Sequence, residues 1–391
     1  MSLTDYLKAL FSTDSILDFQ LNRKKTRFNF VDRYFLSENR KYHNLFFGNK
    51  KVHMEYLHRG ESLEQKHISE YPKLEGAVEI ATAPHLLGLK EIDALAVFLN
   101  KLPQDKYIYA LSKIENFSGL YGLARPLSIY LGIFPINREF PTRKQLEVFY
   151  RLVADSNKAV SVAVTGTRMS SGFGEVNIGL ERAIRRGIND EITHNIIPVS
   201  LRFDIRQNEY YITASDLIEV KKEDFEGKYS EKGALTAKLE NVLKSSMKIT
   251  FNHLAAVYIT DKFSQEKFFD ESAMYNDIET LVPKLEQRGI NIDNDTIKKA
   301  GIKKSIDDFL VYAYNYMDGR GKNNSSFGVS FLEYEEKIRE NLARKRIFGL
   351  KKGKNYDEFT LSEKNQATEK FGLISPIEYM ADMVAHINLH S

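Results

Sequence analysis

Cysteine is absent from this chain of 391 residues. The absence excludes disulfide bonds, thiolate metal sites and cysteine nucleophiles together, and it is compatible with a reducing compartment. Long hydrophobic runs are missing as well, since no window approaches the roughly 18 apolar residues of a membrane-spanning helix. The start of the chain contains Asp5 and lacks the apolar core of a signal peptide. We therefore expect a cytoplasmic protein without a signal peptide or a transmembrane helix.

A charge excess of one sign is also lacking, because the net charge is only +3. Composition therefore gives no reason to expect nucleic acid as a partner. Metal ligands are sparse too. Of two close histidine pairs, His53 with His58 and His386 with His390, the second has helical spacing, but Ile387 occupies the position where the zinc motif needs glutamate. We expect no metal site.

The chain divides into three regions by composition and hydrophobic periodicity. Residues 1–72 are rich in aromatic and basic groups with helix-like spacing, and we expect a helical N-terminal region. In residues 73–215, short β-branched runs alternate with amphipathic stretches, which predicts an α/β sheet with helices on its faces. Residues 216–391 are charged and predict a mainly helical C-terminal region. The predicted strands are 77–82, 107–111, 132–136, 159–164 and 196–201, and the main predicted helices are 91–102, 144–155, 174–187, 231–248, 274–288 and 332–346.

Two basic segments, 22–30 and 344–354, are candidate interaction patches. Runs of this kind are usually solvated surface, and that interpretation is favoured for both. Contact with anionic lipid is the alternative for the first segment, and contact with a membrane or an acidic partner for the second.

His85 is the candidate general base. It follows a predicted buried strand, and Pro84 favours extended geometry in the residue before it. Open α/β sheets bind ligands at this end of their strands, and the near-neutral pKa of histidine suits it to accept a proton from an alcohol. A carboxylate on the other ring nitrogen would improve such a base. Asp93 is the candidate for this role, provided that the chain loops back between the two residues, which Gly88 permits.

Phosphate-binding candidates follow two further strands. Arg138 comes just after the strand 132–136, where a guanidinium could bind phosphate oxygens in a bidentate way. Gly166 begins a glycine-containing loop that extends to Gly174 and precedes a helix, so its backbone N–H groups favour an anion. Arg168 adds positive charge to this loop.

Four segments, taken in order, resemble the four sequence blocks of the glycerolipid acyltransferase family, which acylates glycerol phosphates and related alcohols. The likeness covers residues 75–205, about a third of the chain. Two positions depart from the family pattern: Lys90 stands where the family has its aspartate, and Thr165 stands where it has a glutamate. The segments are Pro84-His85 with Asp93, Gly132-Ile-Phe-Pro-Ile-Asn-Arg138, Val164-Thr-Gly-Thr-Arg168 and Ile196-Ile-Pro-Val199.

The resemblance implies a mixed sheet flanked by helices and an acyl transfer from a thioester to a hydroxyl. His85 would be the base and Asp93 would orient it, while the fourth segment would line a pocket wall. No cofactor is implied, because acyl-coenzyme A or acyl-carrier protein enters as co-substrate. The implied partners are that thioester, a phosphorylated glycerol-like acceptor, acyl carrier protein and the membrane surface, which the protein would contact peripherally. The implied acceptor-binding residues are Lys113, Arg138, Gly166, Thr167 and Arg168.

Two alternatives remain open from the residues. The altered spacing after His85 and the missing glutamate fit a relative that binds lipid or a protein partner without catalysis. The loop from Thr165 to Gly174 also fits a Rossmann-like nucleotide site, although the third glycine of that fingerprint is missing. A Tyr-x-x-x-Lys pair, Tyr258 and Lys262, gives weak support to the nucleotide-binding interpretation.

Overall fold

The computed structural model describes residues 16–18, 21, 51–60, 63–84, 94–95, 98–99, 101–102, 106–113, 132–137, 140–166, 173–188, 192–204, 209–220, 222–225, 233–266, 271–293, 301, 304, 309, 380–381, 384–385 and 387. The described strands are β1 (Lys51–Arg59), β2 (Leu63–His67), β3 (Ala77–Ala83), β4 (Tyr107–Lys113), β5 (Ile133–Ile136), β6 (Lys158–Ala163), β7 (His194–Asp204), β8 (Glu209–Ser215) and β9 (Ile218–Val220). The described helices are α1 (Arg143–Val153), α2 (Gly179–Gly187), α3 (Ala234–Ser246), α4 (Phe251–Glu266) and α5 (Glu271–Gln287), with 3-10 turns at Ile68–Glu70 and Lys222–Phe225.

The strands form one mixed sheet in the order β2-β1-β8-β7-β3-β6-β4-β5, with β9 also paired to β7. The neighbours from β7 to β5 are parallel, whereas β8 is antiparallel to β7 and β2 is antiparallel to β1. The prediction of a mixed sheet flanked by helices is therefore confirmed. Because β3, β4, β5 and β6 are parallel, their carboxyl ends meet at one edge of the sheet.

Both faces of the sheet are covered, which explains why the central strands read as hydrophobic runs. All seven residues of β3 are buried. On one face, Ala81 belongs to a core that includes apolar residues of α1, α2 and α3. On the other face, Val78 and Ile80 pack in a second core with Phe98 and Leu102. A third core joins α4 and α5.

The helical expectation for residues 1–72 is wrong at 51–59 and 63–67, which form β1 and β2. Val52, Met54 and Tyr56 pack toward one core and alternate with polar His53 and Glu55, the period of a half-buried strand. The predicted boundary at residue 215 does not end the sheet either, since β9 follows it and pairs with β7. The basic segments 22–30 and 344–354 and the predicted helix 332–346 lie outside the described residues.

A buried polar cluster attaches the α4–α5 region to the sheet. In β7, Asp204 Oδ2 accepts hydrogen bonds from Thr250 Oγ1 at 3.0 Å and Asn252 Nδ2 at 2.9 Å. In β1, Glu55 accepts from Asn291 Nδ2 at 2.8 Å and from Lys248 Nζ at 2.7 Å. Side chains from two strands therefore hold the start of α4 and the residues that flank these helices.

Arg202 lies at the centre of this cluster and is completely buried. Its guanidinium carbon is 5.3 Å from the centroid of the Tyr211 ring, and that ring stacks on His53 with centroids 4.7 Å apart. No described residue accepts a hydrogen bond from its three side-chain nitrogens. Burial lowers the pKa of Arg202 to about 10, and the negative charge of Asp204 opposes that shift.

None of the helices in the described part of the chain combines the length and apolarity needed to cross a bilayer.

His253 gives a pH-dependent prediction. It is fully buried, its Nδ1 is 2.6 Å from Thr250 Oγ1, and burial together with the Arg202 charge holds its pKa well below the usual range. The unfolded chain therefore binds one more proton than the folded chain below about pH 6.5. As the pH decreases below that value, we expect the free energy of unfolding to decrease, by up to about 1.4 kcal/mol per pH unit from this group. His253→Gln should flatten the pH dependence measured by urea unfolding; parallel curves for the two proteins would contradict this.

Gly76 gives a stability prediction. Its φ is +66°, and a Cβ there would collide with the carbonyl oxygen of Thr193, which accepts a hydrogen bond from Ala77 N at 2.9 Å. Gly289 has a φ of +70°, but its Cβ would lie 3.8 Å from the nearest atom, Arg59 Nη1. Gly289→Ala should cost about 1–2 kcal/mol for the left-handed backbone. Gly76→Ala should cost a further 1–3 kcal/mol, roughly, because of the collision. Equal losses in urea unfolding would show that the contact with Thr193 is not limiting.

Candidate functional site

A cavity of about 610 Å³ opens between α1 and α2 at the carboxyl ends of β4, β5 and β6. We call it the groove. Its walls are mainly apolar, with strand residues on one side and helix residues on the other. Residues that line the groove include Leu111, Ile136 and Val162 from the strands, Leu146 and Phe149 from α1, and Leu180 from α2.

The buried side chain of Gln145 connects the end of β5 to the start of α1. Its Oε1 accepts hydrogen bonds from the backbone N–H groups of Thr142 at 2.9 Å and Asn137 at 3.4 Å. In return, Thr142 Oγ1 accepts from Gln145 N at 3.2 Å, which completes a capping box. The loop between β5 and α1 is thereby held at both ends, and Asn137 and Pro141 from this loop line the groove.

A tight junction joins the end of β6 to the start of α2. Gly166 has a φ of +76°, a conformation that favours glycine, and its N–H donates to Ala163 O at 2.9 Å. The N–H of Asn177 donates to Val164 O at 2.7 Å, and Asn177 Oδ1 accepts from Gly179 N at 3.2 Å. These bonds fix the N-terminus of α2 beside the end of β6, and both parts line the groove.

Positive charge enters the groove from α2. Arg182 and Arg186 are exposed, line the groove and lie one helical turn apart on the same face of α2. The guanidinium carbon of Arg186 is 4.9 Å from the centroid of the Tyr150 ring, a cation–π arrangement. An apolar cavity with two guanidinium groups at its border suits a ligand that has an apolar part and an anionic part.

The structure places two of the predicted site residues. Gly166 lines the groove, and Lys113 is the last residue of β4, whose Leu111 also lines it. Thr165, which stands where the acyltransferase pattern has glutamate, is buried and 8% exposed, and its neighbour Val164 lines the groove. His85, Asp93, Arg138, Thr167 and Arg168 lie outside the described residues, so the predicted pairing of His85 with Asp93 stays a prediction.

The expectation for the fourth segment needs correction. Ile196, Ile197 and Val199 are fully buried in β7, two strands away from β6, and none of them is among the groove-lining residues. They pack against helices on one face and against the second core on the other. Their apolar character reflects a central strand covered on both faces, and they do not line the groove.

Sequence reasoning missed Arg182, Arg186 and Tyr150. The spacing of the two arginines was visible, but a charged run on an amphipathic helix is usually a solvated face. Only the packing of α2 beside α1 brings one of them onto an aromatic ring and both to the groove.

The fold agrees with the nucleotide-binding alternative in one respect and disagrees with it in another. The strand β6 precedes the glycine-containing segment 164–178 and the helix α2 follows it, while residues 167–172 of that segment lie outside the described residues. Tyr258, however, lies on α4 and packs against the separate core of the C-terminal helices. It does not line the groove, so the Tyr258–Lys262 pair does not support a nucleotide site there.

The close pair His53 and His58 does not converge on one point. His53 Nε2 is 2.7 Å from Glu209 Oε2, and its ring stacks on Tyr211. His58 Nδ1 is 2.8 Å from Asp216 Oδ1, at the other end of β8. Each histidine therefore joins β1 to β8 or to the residue after it.

The chain is similar to the crystal structure of the 1-acyl-sn-glycerophosphate (LPA) acyltransferase PlsC from Thermotoga maritima, with 15% sequence identity and a TM-score of 0.35. The match covers 62% of this chain and 92% of that chain. No protein-family model matches the chain, and no curated protein matches it.

Proposed function

We propose that this protein is an acyltransferase that moves a fatty acyl group from an acyl-coenzyme A or acyl-carrier-protein thioester to a hydroxyl of a glycerol-phosphate-like acceptor. The observation that carries the proposal is the groove: an apolar cavity at the carboxyl ends of parallel strands, bordered by guanidinium groups. Apolar walls suit an acyl chain, and the cations suit phosphate oxygens. The motif resemblance adds the reaction type.

His85 is the proposed general base, and the strand that precedes it in the chain, β3, contacts a residue of the groove. It comes three residues after Thr82 of β3, whose carbonyl oxygen accepts a hydrogen bond from the groove residue Val164 at 3.0 Å. In the proposed reaction, His85 takes the proton of the acceptor hydroxyl while the hydroxyl oxygen attacks the thioester carbon. The carbon–sulfur bond then breaks, and His85 passes the proton on to the leaving thiolate.

The developing oxyanion needs hydrogen-bond donors. The backbone N–H groups of Gly166, Asn177 and Gly179 already hold the β6–α2 junction together. We therefore propose that the other backbone N–H groups of the Gly166–Gly174 loop stabilise the oxyanion, while Arg138 and Arg168 bind the acceptor phosphate, as the resemblance implies. Arg182 and Arg186 bind the anionic part of a substrate in this proposal.

A second candidate function is lipid binding without catalysis. The buried Thr165 favours it, because this position supplies no carboxylate at the groove, whereas the family pattern has glutamate there. The two functions share the groove and differ in whether product forms.

Acyl transfer by the purified protein tests the proposal. The assay uses labelled acyl-coenzyme A or acyl-carrier protein with glycerol 3-phosphate, lysophosphatidate or dihydroxyacetone phosphate. His85→Ala should lower turnover by about 10²–10⁴-fold, because the reaction loses its general base. His67→Ala is the matched control, since His67 is exposed on β2 at the far edge of the sheet. Full turnover in a folded His85→Ala protein would remove His85 from the mechanism, and no product from the wild type would favour the lipid-binding alternative.

Arg186→Ala tests the anionic subsite. Charge-assisted hydrogen bonds to phosphate are worth enough that we expect the affinity for the phosphorylated substrate to fall about 10-fold or more. Arg185→Ala is the control, because Arg185 is on the same helix and is not among the groove-lining residues. The measurement is the substrate Kd or KM for each variant. If the two variants weaken binding equally, the effect belongs to the general charge of α2 and not to the groove.

A further inference from the structure

Two fully buried side chains near Asp204 carry hydrogen-bonding atoms that have no partner among the described residues. These atoms are Nε, Nη1 and Nη2 of Arg202 and Nε2 of His253. Buried polar atoms are nearly always hydrogen-bonded, because an unpaired one has lost the bonds that it makes to water in the unfolded chain. Neither residue lines the groove, so the proposed acyl transfer does not explain them.

Arg202 and His253 face the same region between the sheet and α4. Arg202 and Asp204 are two residues apart in β7 and therefore lie on the same face of the sheet. Asp204 Oδ2 accepts from Thr250 Oγ1 at 3.0 Å, and Thr250 Oγ1 is 2.6 Å from His253 Nδ1. Burial, together with the charge of Arg202, lowers the pKa of His253, which places the guanidinium near the imidazole ring.

The directions of these hydrogen bonds determine which nitrogen of His253 carries the proton. Thr250 has one hydroxyl proton, and it donates that proton to Asp204. Thr250 Oγ1 therefore accepts from His253, so the hydrogen is on Nδ1. Because the pKa of His253 is well below its usual range, the ring is neutral and Nε2 presents a lone pair. The buried Nε2 of His253 is thus an acceptor, whereas the nitrogens of Arg202 are donors.

A molecule between these two groups has to accept from a guanidinium and donate to an imidazole nitrogen. Water does both, and a buried water molecule typically makes about three hydrogen bonds to protein groups. A simple anion such as chloride has no proton to donate to His253. An anion would also be repelled by three carboxylates whose charges act on Arg202, those of Asp204, Asp293 and Glu55.

We infer that a buried water molecule bridges Arg202 and His253, accepting from the guanidinium and donating to Nε2 of the imidazole. The water completes a chain of hydrogen bonds that runs in one direction, from Arg202 through His253 and Thr250 to Asp204. A cation at one end and a carboxylate at the other polarise every bond of this chain in the same sense. Since His253 is in the first turn of α4, this hydration site positions α4 on β7. The inference goes beyond the proposed function and does not depend on it.

A crystal structure of the full chain, grown in the presence of bromide, tests the inference directly. We expect a solvent atom within about 3.2 Å of both an Arg202 nitrogen and His253 Nε2, without anomalous scattering from bromide. An anomalous peak at that position would overturn the inference and assign the site to a small anion. A direct hydrogen bond between Arg202 and His253, or no ordered atom between them, would also overturn it.

The ring nitrogens of His253 give a second readout in solution. In protein labelled with ¹⁵N at histidine, the spectrum should show the proton on Nδ1 and a hydrogen-bonded lone pair at Nε2. His253→Gln identifies these signals by removing them. A proton on Nε2 would contradict the inference, because that nitrogen could not then accept from the water. A lone pair with the chemical shift of an unbonded nitrogen would contradict it as well.

A double-mutant cycle measures whether Arg202 and His253 are coupled. Arg202→Met and His253→Leu each remove one partner of the water, so their effects on the unfolding equilibrium constant should differ from additivity by about 10-fold. In the control cycle, His67→Leu replaces His253→Leu, because His67 is exposed on β2, and the effects should be additive. Additive effects in both cycles would overturn the inference. The crystal and NMR measurements use the unmodified chain, so they test the inference even where a variant fails to fold.

Discussion

The groove depends on how β6 and α2 are joined. Hydrogen bonds from Gly166 and Asn177 close the junction onto the end of β6, so the helix begins directly beside the strand. With Gln145 holding α1 to β5 in a similar way, two helices are fixed over three parallel strands with a cavity between them. The residues that directly follow β5 and β6 supply these junctions, and the sheet beneath them sets their positions. The candidate site therefore depends on two local sets of hydrogen bonds, one at the β6–α2 junction and one at the β5–α1 junction.

The sequence predicted the five parallel strands from β7 to β5 and missed β1, β2, β8 and β9, for a physical reason. Strands covered on both faces, such as β3, must be hydrophobic throughout, and this signal is short-range. β1 carries polar side chains on one face, and its pairing with β8 joins residues that are distant in the chain, which no local pattern reveals. The candidate site shows the same difference. Gly166 could be predicted because its left-handed backbone conformation favours glycine locally, whereas Arg186 contacts the Tyr150 ring only once α1 and α2 pack together.

Among the described residues, polar contacts attach α4 and α5 to the sheet, and the apolar core of these helices is separate from the two cores of the sheet. Asp204 and Glu55 in the sheet bind groups next to α4 and α5, around the buried Arg202. Buried charges are costly to remove from water, and the loss of one partner leaves the other uncompensated. Such contacts tolerate few alternative arrangements. The helices are therefore held in a specific position, while α3, which packs into the groove-side core, connects them to the sheet.

The strand order also constrains how the chain acquires its structure during synthesis. Lys51 at the start of β1 lies opposite Glu209 in β8, and β1 is the strand that connects β2 to the sheet. Both strands can join the sheet only after β8 has left the ribosome. At about 5–20 residues per second, this happens roughly ten seconds or more after β1 and β2 are made. During that interval Tyr56 and Leu57, which are buried in the finished protein, can pair with β2 but not with β8. The hairpin of β1 and β2 is thus synthesised early and joins the sheet late. It is the segment of this fold that most needs protection in a nascent chain.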